Sequence, residues 1–228
     1  MLANKLEGVL MIIALSNSKG GVGKSTLAVH LAVWWRERGG DAALVDADAQ
    51  ESSSVWLREA APHVPVFRLQ TPDDILDQVP DLRRKFDFVV VDGPAGLSEV
   101  TRAILLVADL ALLPCGPSVL DLRAAKDAIR VVRQAQKIRQ GPPQAMLVPN
   151  KLQVQYRLSR EMLETTRSLE IPTAAGLRLR QAYADAAGQG TVVWRLGKGE
   201  AAACEIRELF DGLFGQASAD DERSVANG

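Results

Sequence analysis

The glycine-rich stretch of this 228-residue chain reads Lys19-Gly20-Gly21-Val22-Gly23-Lys24-Ser25-Thr26. An apolar run at residues 11–15 precedes it and is typical of a short buried strand. The apolar residues at 27–35 follow it and are typical of a helix packed on a sheet. A strand, a glycine-rich turn and a helix in this order form the context of a phosphate-binding loop. The stretch therefore predicts a nucleotide site.

The residue types in this loop suit phosphate groups. Glycine at 20, 21 and 23 lets the backbone N–H groups point inward with no side chain in the way. The helix that follows adds unpaired N–H groups and the positive end of its dipole. We expect Lys24 to reach the β- and γ-phosphates, Ser25 to bind Mg²⁺ and Thr26 to contact the α-phosphate. The predicted nucleotide-binding residues of the loop are Lys19, Gly20, Gly21, Val22, Gly23, Lys24, Ser25 and Thr26.

The loop differs from the common G-x-x-x-x-G-K-[ST] pattern at its start. Ser18 takes the position of the first glycine, and a second lysine, Lys19, lies five residues before Lys24. This K-G-G-x-G-K-[ST] form is the deviant Walker A motif and resembles the ParA/MinD superfamily of dimeric ATPases. The resemblance extends over residues 10–210 and implies ATP and Mg²⁺ as cofactors, slow ATP hydrolysis and a homodimer in the ATP state. It also implies that Lys19 crosses the dimer interface to the partner's nucleotide; the alternative is a glycine-rich turn with two solvated lysines.

Composition and order of elements predict one domain. Apolar residues make up 47% and charged residues 24% of the chain, both ordinary for a globular domain. Apolar strands alternate with helices, which favours an α/β fold with a mainly parallel sheet and helices on both faces. We expect a single P-loop ATPase domain at residues 1–215, with a helix at 156–169 and an extended edge at 171–179. Residues 216–228 are expected to be a disordered acidic tail.

The sequence also argues against a membrane-spanning, secreted, disulfide-rich or metal-cluster protein. No apolar run approaches the ~20 residues that span a bilayer, and the first ten residues do not resemble a signal peptide. Cys115 and Cys204 give neither a disulfide framework nor the spacing of a metal or cluster site. The acidic residues 220–222 would be repelled by an anionic membrane. We expect a cytoplasmic protein with no membrane partner, and the resemblance to the ParA/MinD superfamily implies association with the nucleoid.

Acidic and amide side chains follow three predicted strands, where ligands of parallel sheets bind. Asp92 follows four apolar residues, as in a Walker B motif, and is predicted to bind Mg²⁺ through water. Asp46-x-Asp48 resembles a family motif that implies a metal-supporting role for Asp46 and orientation of the attacking water by Asp48. Either residue could instead cap the helix predicted at 51–60. The resemblance implies that Asn150 contacts adenine, which an amide can both donate to and accept from, with a simple turn residue as the alternative.

Two sets of basic residues are candidates for DNA contacts. Spacings of four, three and four residues place the first set on one face of a long helix predicted at 119–139. Such faces are often merely solvated, but they can also bind the DNA backbone without reading its sequence. The candidate residues are Lys126, Arg130, Arg133 and Lys137, followed by Arg178 and Arg180.

The resemblance is strongest to short ParA-type partition ATPases. It implies nucleotide-switched, non-specific DNA binding that partitions a plasmid or chromosome, with a ParB-like or small DNA-binding adaptor that stimulates hydrolysis. One alternative is a related ATPase that positions a protein cargo or compartment. Others are a MinD-like regulatory ATPase and an ATP-gated scaffold without useful hydrolysis. The net charge of −1 gives no overall attraction to DNA, so any such binding must come from a local patch.

Overall fold

The structure is a computed structural model, and it describes residues 10–153, 166 and 169–214. The strands within this part are β1 (Met11–Asn17), β2 (Ala42–Asp46), β3 (Val66–Arg68), β4 (Phe88–Ala95), β5 (Leu110–Cys115) and β6 (Gln144–Pro149). The helices are α1 (Lys24–Glu37), α2 (Ser52–Ala60), α3 (Pro72–Leu82), α4 (Glu99–Val107), α5 (Val119–Arg139), α6 (Gln181–Gly188) and α7 (Glu200–Phe214). A 3-10 turn, Val193–Arg195, precedes α7.

The strands form one sheet in the order β3-β2-β4-β1-β5-β6. Every pairing between these strands is parallel, so their carboxyl ends all meet at one edge. β1 lies between β4 and β5, and the phosphate-type loop therefore begins near the middle of that edge. This arrangement confirms the predicted α/β fold with a parallel sheet.

Apolar side chains cover both faces of the sheet. Ile13 and Leu15 of β1 point to one face, where residues of α1, α2 and α7 pack on them. Ile12 and Ala14 point to the other face, against α3 and α4. The β5–β6 end of this second face packs against α5 through residues such as Ile129. Two-sided burial explains why the strands are apolar along their whole length.

Strand β4 is longer than the sequence predicts. The Asp92-Gly93-Pro94 sequence is typical of a turn that leaves the sheet, but the strand continues to Ala95. A Cβ on Gly93 would lie 2.8 Å from the backbone oxygen of Leu15. The close approach of β1 therefore requires glycine here.

The remaining sequence predictions concern the carboxyl-terminal part of the chain. The predicted edge at 171–179 is extended and makes parallel bridges from Thr173 to Leu147 and from Arg178 to Leu152. The predicted helix at 156–169 lies almost entirely outside the described residues, as does the predicted tail at 216–228. Within the described ranges, none of the helices has both the length and the apolarity needed to cross a membrane.

Candidate functional site

The predicted phosphate loop connects the carboxyl end of β1 to the first residue of α1. Gly21 and Gly23 have φ angles of 73° and 103°, a region that glycine adopts without strain. Gly23 is the N-cap of α1 and provides no side-chain hydrogen bond to the helix. The N–H groups of the first helical turn consequently have no side-chain cap and can bind an anion.

Lys24 lies within this loop rather than in solvent. Its side chain is buried, with 6% of the residue exposed, and its ammonium donates to the backbone oxygen of Lys19 over 3.3 Å. Burial lowers the pKa of Lys24, and the nearby carboxylates of Asp92 and Asp48 partly offset that effect. A desolvated ammonium in this loop is suited to phosphate oxygens.

Asp46 and Asp92 are neighbours in the sheet, since β2 and β4 pair them in register. Asp46 is fully buried, and its two oxygens accept hydrogen bonds from the N–H groups of Asp48 at 3.1 Å and Ser54 at 2.8 Å. The alternative role as a helix cap therefore has a geometric basis for Asp46. Asp46 also holds the backbone of Asp48 through one of these bonds. This position is compatible with the metal-supporting role predicted for Asp46.

Asp92 has a different environment from Asp46. It is 1% exposed, and neither carboxylate oxygen has a hydrogen-bond partner among the described residues. Burial raises the pKa of Asp92 to about 7, against the smaller lowering effects of the Ser25 and Ser53 side chains and of Lys24. A buried carboxylate without partners is costly unless a cation compensates it. The donor set of Asp92, Asp46 and Ser25 fits Mg²⁺, which prefers oxygen ligands and keeps several waters.

Asp48 lies on the loop after β2 and is partly exposed. One of its carboxylate oxygens accepts the N–H of Gln50 at 3.0 Å, and Gln70 donates to its backbone oxygen at 3.4 Å. Its charge partly offsets the effect of burial on the pKa of Lys24, so the two side chains lie within range of electrostatic interaction. Asp48 is thus near the predicted phosphate position, and its proposed contact with water remains a prediction.

Lys19 makes a contact that the sequence analysis missed. Its ammonium lies 2.7 Å from a carboxylate oxygen of Asp121, in the first turn of α5. Burial alone would raise the pKa of Asp121, but hydrogen bonds from Lys19 and Ser118 outweigh it and keep that pKa below the ordinary value. The Ser118-x-x-Asp121 pattern signals a helix start, and nothing in it indicates a lysine partner.

The hydrogen bond made by Ser18, the residue before Lys19, explains why this loop begins with serine. The Ser18 hydroxyl donates to the backbone oxygen of Ala124 in α5 over 3.1 Å. Next to it, the Asn17 amide donates to the backbone oxygen of Pro114 at the end of β5 over 2.7 Å. The start of the loop is therefore fastened to both β5 and α5, and a glycine at position 18 would lose the contact with α5.

Asn150 supports the loop from the other side. It is buried, and its amide nitrogen donates to the backbone oxygen of Val22 over 2.7 Å. Its amide oxygen accepts the N–H of Lys151, and the Lys151 ammonium donates to the backbone oxygen of Gly21 over 2.6 Å. Asn150 also lines a cavity of about 250 Å³ that opens beside Gly23. Its position fits the predicted contact with a base, although part of its hydrogen-bonding capacity serves the loop.

The base-sized cavity includes residues that the sequence analysis did not propose. Its other walls come from the extended segment before α6 and from α6 itself; they include Leu177, Leu179, Tyr183, Ala184 and Ala187. These residues are far from the loop in sequence. Only the return of the chain to the sheet edge brings them to it.

The two candidate sets of DNA-contacting residues differ in the structure. The four candidate residues on α5 all line one groove of about 530 Å³, which also includes Leu169 and Glu170; we call it the α5 groove. In contrast, Arg178 and Arg180 both pair with Glu205 of α7, at 3.4 Å and 2.6 Å. The second pair is thus partly neutralised within the chain. In the α5 groove Arg130 pairs with Asp127 and Arg133 with Glu170, but Lys126 and Lys137 have no ion-pair partner among the described residues, which favours this groove as the anion-binding face. The residues of the α5 groove are Lys126, Ile129, Arg130, Arg133, Gln134, Lys137, Leu169 and Glu170.

Comparison with known proteins gives consistent matches. The sequence model described as the CobQ/CobB/MinD/ParA nucleotide binding domain matches residues 13–193. Maintenance of carboxysome distribution protein A from Halothiobacillus neapolitanus is 33% identical over 210 residues, which cover 87% of this chain and 94% of that protein.

Solved structures show the same fold. An ATP complex of a variant of Cyanothece McdA has a TM-score of 0.76 at 15% identity, covering 90% of this chain and 97% of that one. The Pyrococcus horikoshii septum site-determining protein MinD with Mg-ADP has a TM-score of 0.73 at 20% identity, covering 91% and 99%.

Proposed function

The chain belongs to the CobQ/CobB/MinD/ParA family of nucleotide-binding domains, and from this premise we propose that it is an ATPase that positions a protein cargo or compartment along DNA. The observation that carries the cargo assignment is the 33% identity with a carboxysome distribution protein over nearly the whole chain. It favours this alternative over the partition of a plasmid or chromosome, which the sequence had put first. The predicted MinD-like alternative has weaker support from sequence identity, since the MinD structure is 20% identical.

ATP and Mg²⁺ are the proposed ligands of the loop. Structures of two proteins with this fold hold ATP and Mg-ADP. Here the uncapped start of α1 and the buried Lys24 would bind the β- and γ-phosphates. Ser25, Asp92 and Asp46 would hold Mg²⁺ directly or through water. Among the described residues no group of three or more His, Cys, Asp or Glu side chains is arranged for a metal, so phosphate and water oxygens would complete the coordination.

Hydrolysis needs a positioned water and compensation of developing charge. Asp48 is the proposed water-orienting residue because it is partly exposed and close enough to influence Lys24. Lys24 would stabilise the charge on the transferred phosphoryl group from within the subunit. Lys19 would do so from the partner subunit of an ATP-bound homodimer.

We propose that the protein positions its cargo by binding DNA without sequence preference. The α5 groove supplies four cations, of which Arg130 and Arg133 are paired with acidic side chains, on a chain whose net charge is −1. Binding would therefore depend on one local surface and would fall as salt rises. A small adaptor carried by the cargo would stimulate hydrolysis and release the protein from DNA.

The proposal is tested by replacing the gene with one that encodes the Lys24→Ala variant in the native cell. We expect loss of ATP binding in a titration of the purified variant. In the cell, protein compartments should cluster instead of being distributed along the DNA, while plasmids and the chromosome should still be inherited.

Lys85→Ala is the matched control, because Lys85 is an exposed lysine beyond α3. It should leave both ATP binding and compartment spacing unchanged. Normal spacing of compartments together with plasmid or chromosome loss in Lys24→Ala would return the protein to DNA partition. Tight ATP binding by Lys24→Ala would refute the assignment of the loop.

A further inference from the structure

One wall of the base-sized cavity is an extended segment whose backbone is bonded on one side to the chain that leaves β6. The N–H groups of Leu177 and Leu179 donate to the backbone oxygens of Pro149 and Leu152 over 2.8 Å and 2.9 Å. Arg178 lies between them, and alternate N–H groups of an extended chain point in opposite directions. Its N–H group therefore faces away from β6 and needs a partner on the outer side of the segment.

Glu205 of α7 is that partner. One carboxylate oxygen accepts the N–H of Arg178 at 3.2 Å and the Nε–H of Arg180 at 3.0 Å. The other accepts a second N–H of the Arg180 guanidinium at 2.6 Å and lies 3.4 Å from Nε of Arg178. Only 17% of the Glu205 side chain is exposed. Burial alone would raise the pKa of Glu205, but the hydrogen bonds and charges of the two arginines outweigh it and keep that pKa below the ordinary value.

The opposite wall of the cavity, on α6, is attached to the same helix. The Tyr183 hydroxyl donates to the backbone oxygen of Ala202 over 3.3 Å, one turn before Glu205. Ile206 and Phe210 fix α7 in turn, because their side chains are fully buried in the core. Both walls of the cavity therefore depend on α7 for their position.

We propose that Glu205 is a positioning residue that sets the affinity of the site for the base of the nucleotide. This inference rests on the proposed function, in which ATP binds the loop, and on entry of the base into the cavity beside Gly23. Glu205 acts from behind the wall, since Arg178 and Arg180 line the cavity and Glu205 does not.

The position of Glu205 separates the base from the phosphates. Within the described part of the chain, the hydrogen-bond and ion-pair partners of Glu205 lie in the cavity wall and not in the phosphate loop. Without the negative charge of Glu205, the segment would keep its bonds to Pro149 and Leu152 but lose most of its outer support. Binding of the base should therefore weaken while binding of the phosphates is unchanged.

The test compares ADP with inorganic pyrophosphate, each with Mg²⁺, by titration calorimetry. Pyrophosphate has the two phosphates of ADP without its ribose and base. Glu205→Gln keeps the size of the side chain and an oxygen for the N–H of Arg178, but it removes the charge that pairs with both arginines. The dissociation constant for ADP should rise about ten-fold, and that for pyrophosphate should stay within about two-fold of the wild-type value. An unchanged constant for ADP, or an equal rise for both ligands, would overturn the proposal.

A double-mutant cycle asks whether Glu205 acts through Arg180. Arg180→Gln alone should also raise the dissociation constant for ADP, because it removes a lining side chain and a partner of Glu205. Adding Glu205→Gln to it should change that constant by less than about two-fold, since the pair is already broken. A further rise of about ten-fold would place the effect of Glu205 outside this wall and contradict the proposal.

Glu208 provides the matched control, because it is an exposed glutamate of the same helix and lines a separate groove. Glu208→Gln makes the same change of charge and should leave both dissociation constants at their wild-type values. If it raised the constant for ADP as much as Glu205→Gln does, the loss of negative charge on α7 would explain the effect. Positioning of the cavity wall by Glu205 would then be wrong.

The outcome also separates this inference from the proposed function. A wild type that binds neither ADP nor pyrophosphate would remove the nucleotide from the proposed function and the role of Glu205 with it. A wild type that binds both, with no effect of Glu205→Gln on ADP, would overturn the role of Glu205 alone. Thermal unfolding without ligand identifies any variant that has failed to fold. If Glu205→Gln does not fold, Glu205→Asp, which shortens the side chain, replaces it with the same expected difference between the two ligands.

Discussion

His30 connects the nucleotide loop to the carboxyl-terminal part of the chain through one buried imidazole. The N–H of Val193 donates to its Nε2 over 3.2 Å, so the ring proton is on Nδ1, which donates to the backbone oxygen of Thr26 over 2.7 Å. Trp56, Tyr183 and Trp194 approach the ring edge-on. Burial lowers the pKa of His30 to about 4, despite the hydrogen bond to Thr26.

Because burial lowers the pKa of His30, we expect the free energy of unfolding to depend on pH. The folded pKa is below the unfolded value of 6.5, so the contribution of His30 is present above pH 6.5 and is lost as the pH falls towards 4. Between about pH 7 and pH 5 the wild type should lose about 2 kcal/mol more free energy of unfolding than His30→Gln does. Urea unfolding at both pH values measures the difference.

The matched control is His63→Gln, at an exposed histidine. It should show the same change in unfolding free energy between the two pH values as the wild type. If the free energy of unfolding changed equally with pH in the wild type and in His30→Gln, the fold would not be keeping the His30 imidazole neutral.

At the scale of elements, sequence and structure agree where local signals are strong. The helix at 119–139 begins and ends as predicted because Ser118 caps it and the Gly141-Pro142-Pro143 sequence cannot continue it. The loop and the buried strand-end acids were also predictable, since each follows an apolar strand. The Lys19–Asp121 pair and the Asn150–Val22 bond were not, because they join residues about 100 or more positions apart. Packing of one element on another determines such contacts.

The α5 groove gives a prediction for a single element. Among the described residues neither Lys126 nor Lys137 has an ion-pair partner, whereas Arg130 pairs with Asp127 and Arg133 with Glu170. Replacing both lysines by glutamate should weaken duplex DNA binding in the ATP state at least about ten-fold. The slope of log affinity against log salt should become shallower by about 2, one for each lost phosphate contact.

A pair of changes outside the groove controls for net charge. Arg84→Glu with Lys85→Glu makes the same charge change beyond α3 and should leave most of the affinity and the salt slope in place. An equal loss of affinity in both double variants would assign the effect to overall charge. A loss that occurs only when Arg178 and Arg180 are replaced would move the DNA face to the α6 side.

At the scale of the whole molecule, the loop and the α5 groove are joined by one helix. Ser18 and Lys19 contact the amino-terminal end of α5, and the cations of the groove continue along the same helix. A nucleotide that brings two subunits together would also bring two such grooves together. Since each chain has a net charge of −1, a single groove should bind DNA weakly.

We therefore expect duplex DNA of mixed sequence to bind tightly with a non-hydrolysable ATP analogue and weakly with ADP or without nucleotide. Two linked grooves gain affinity through effective concentration, by a factor of about 10² or more, without any new contact. The steep salt dependence of each groove should make the difference between nucleotide states largest near physiological ionic strength. Fluorescence anisotropy across a salt series measures it, and Lys19→Ala serves as the matched variant because it retains the α5 groove. That variant should bind DNA equally weakly in every nucleotide state; strong binding by Lys19→Ala, or equal binding by the wild type in all states, would contradict a switch that works through dimerisation.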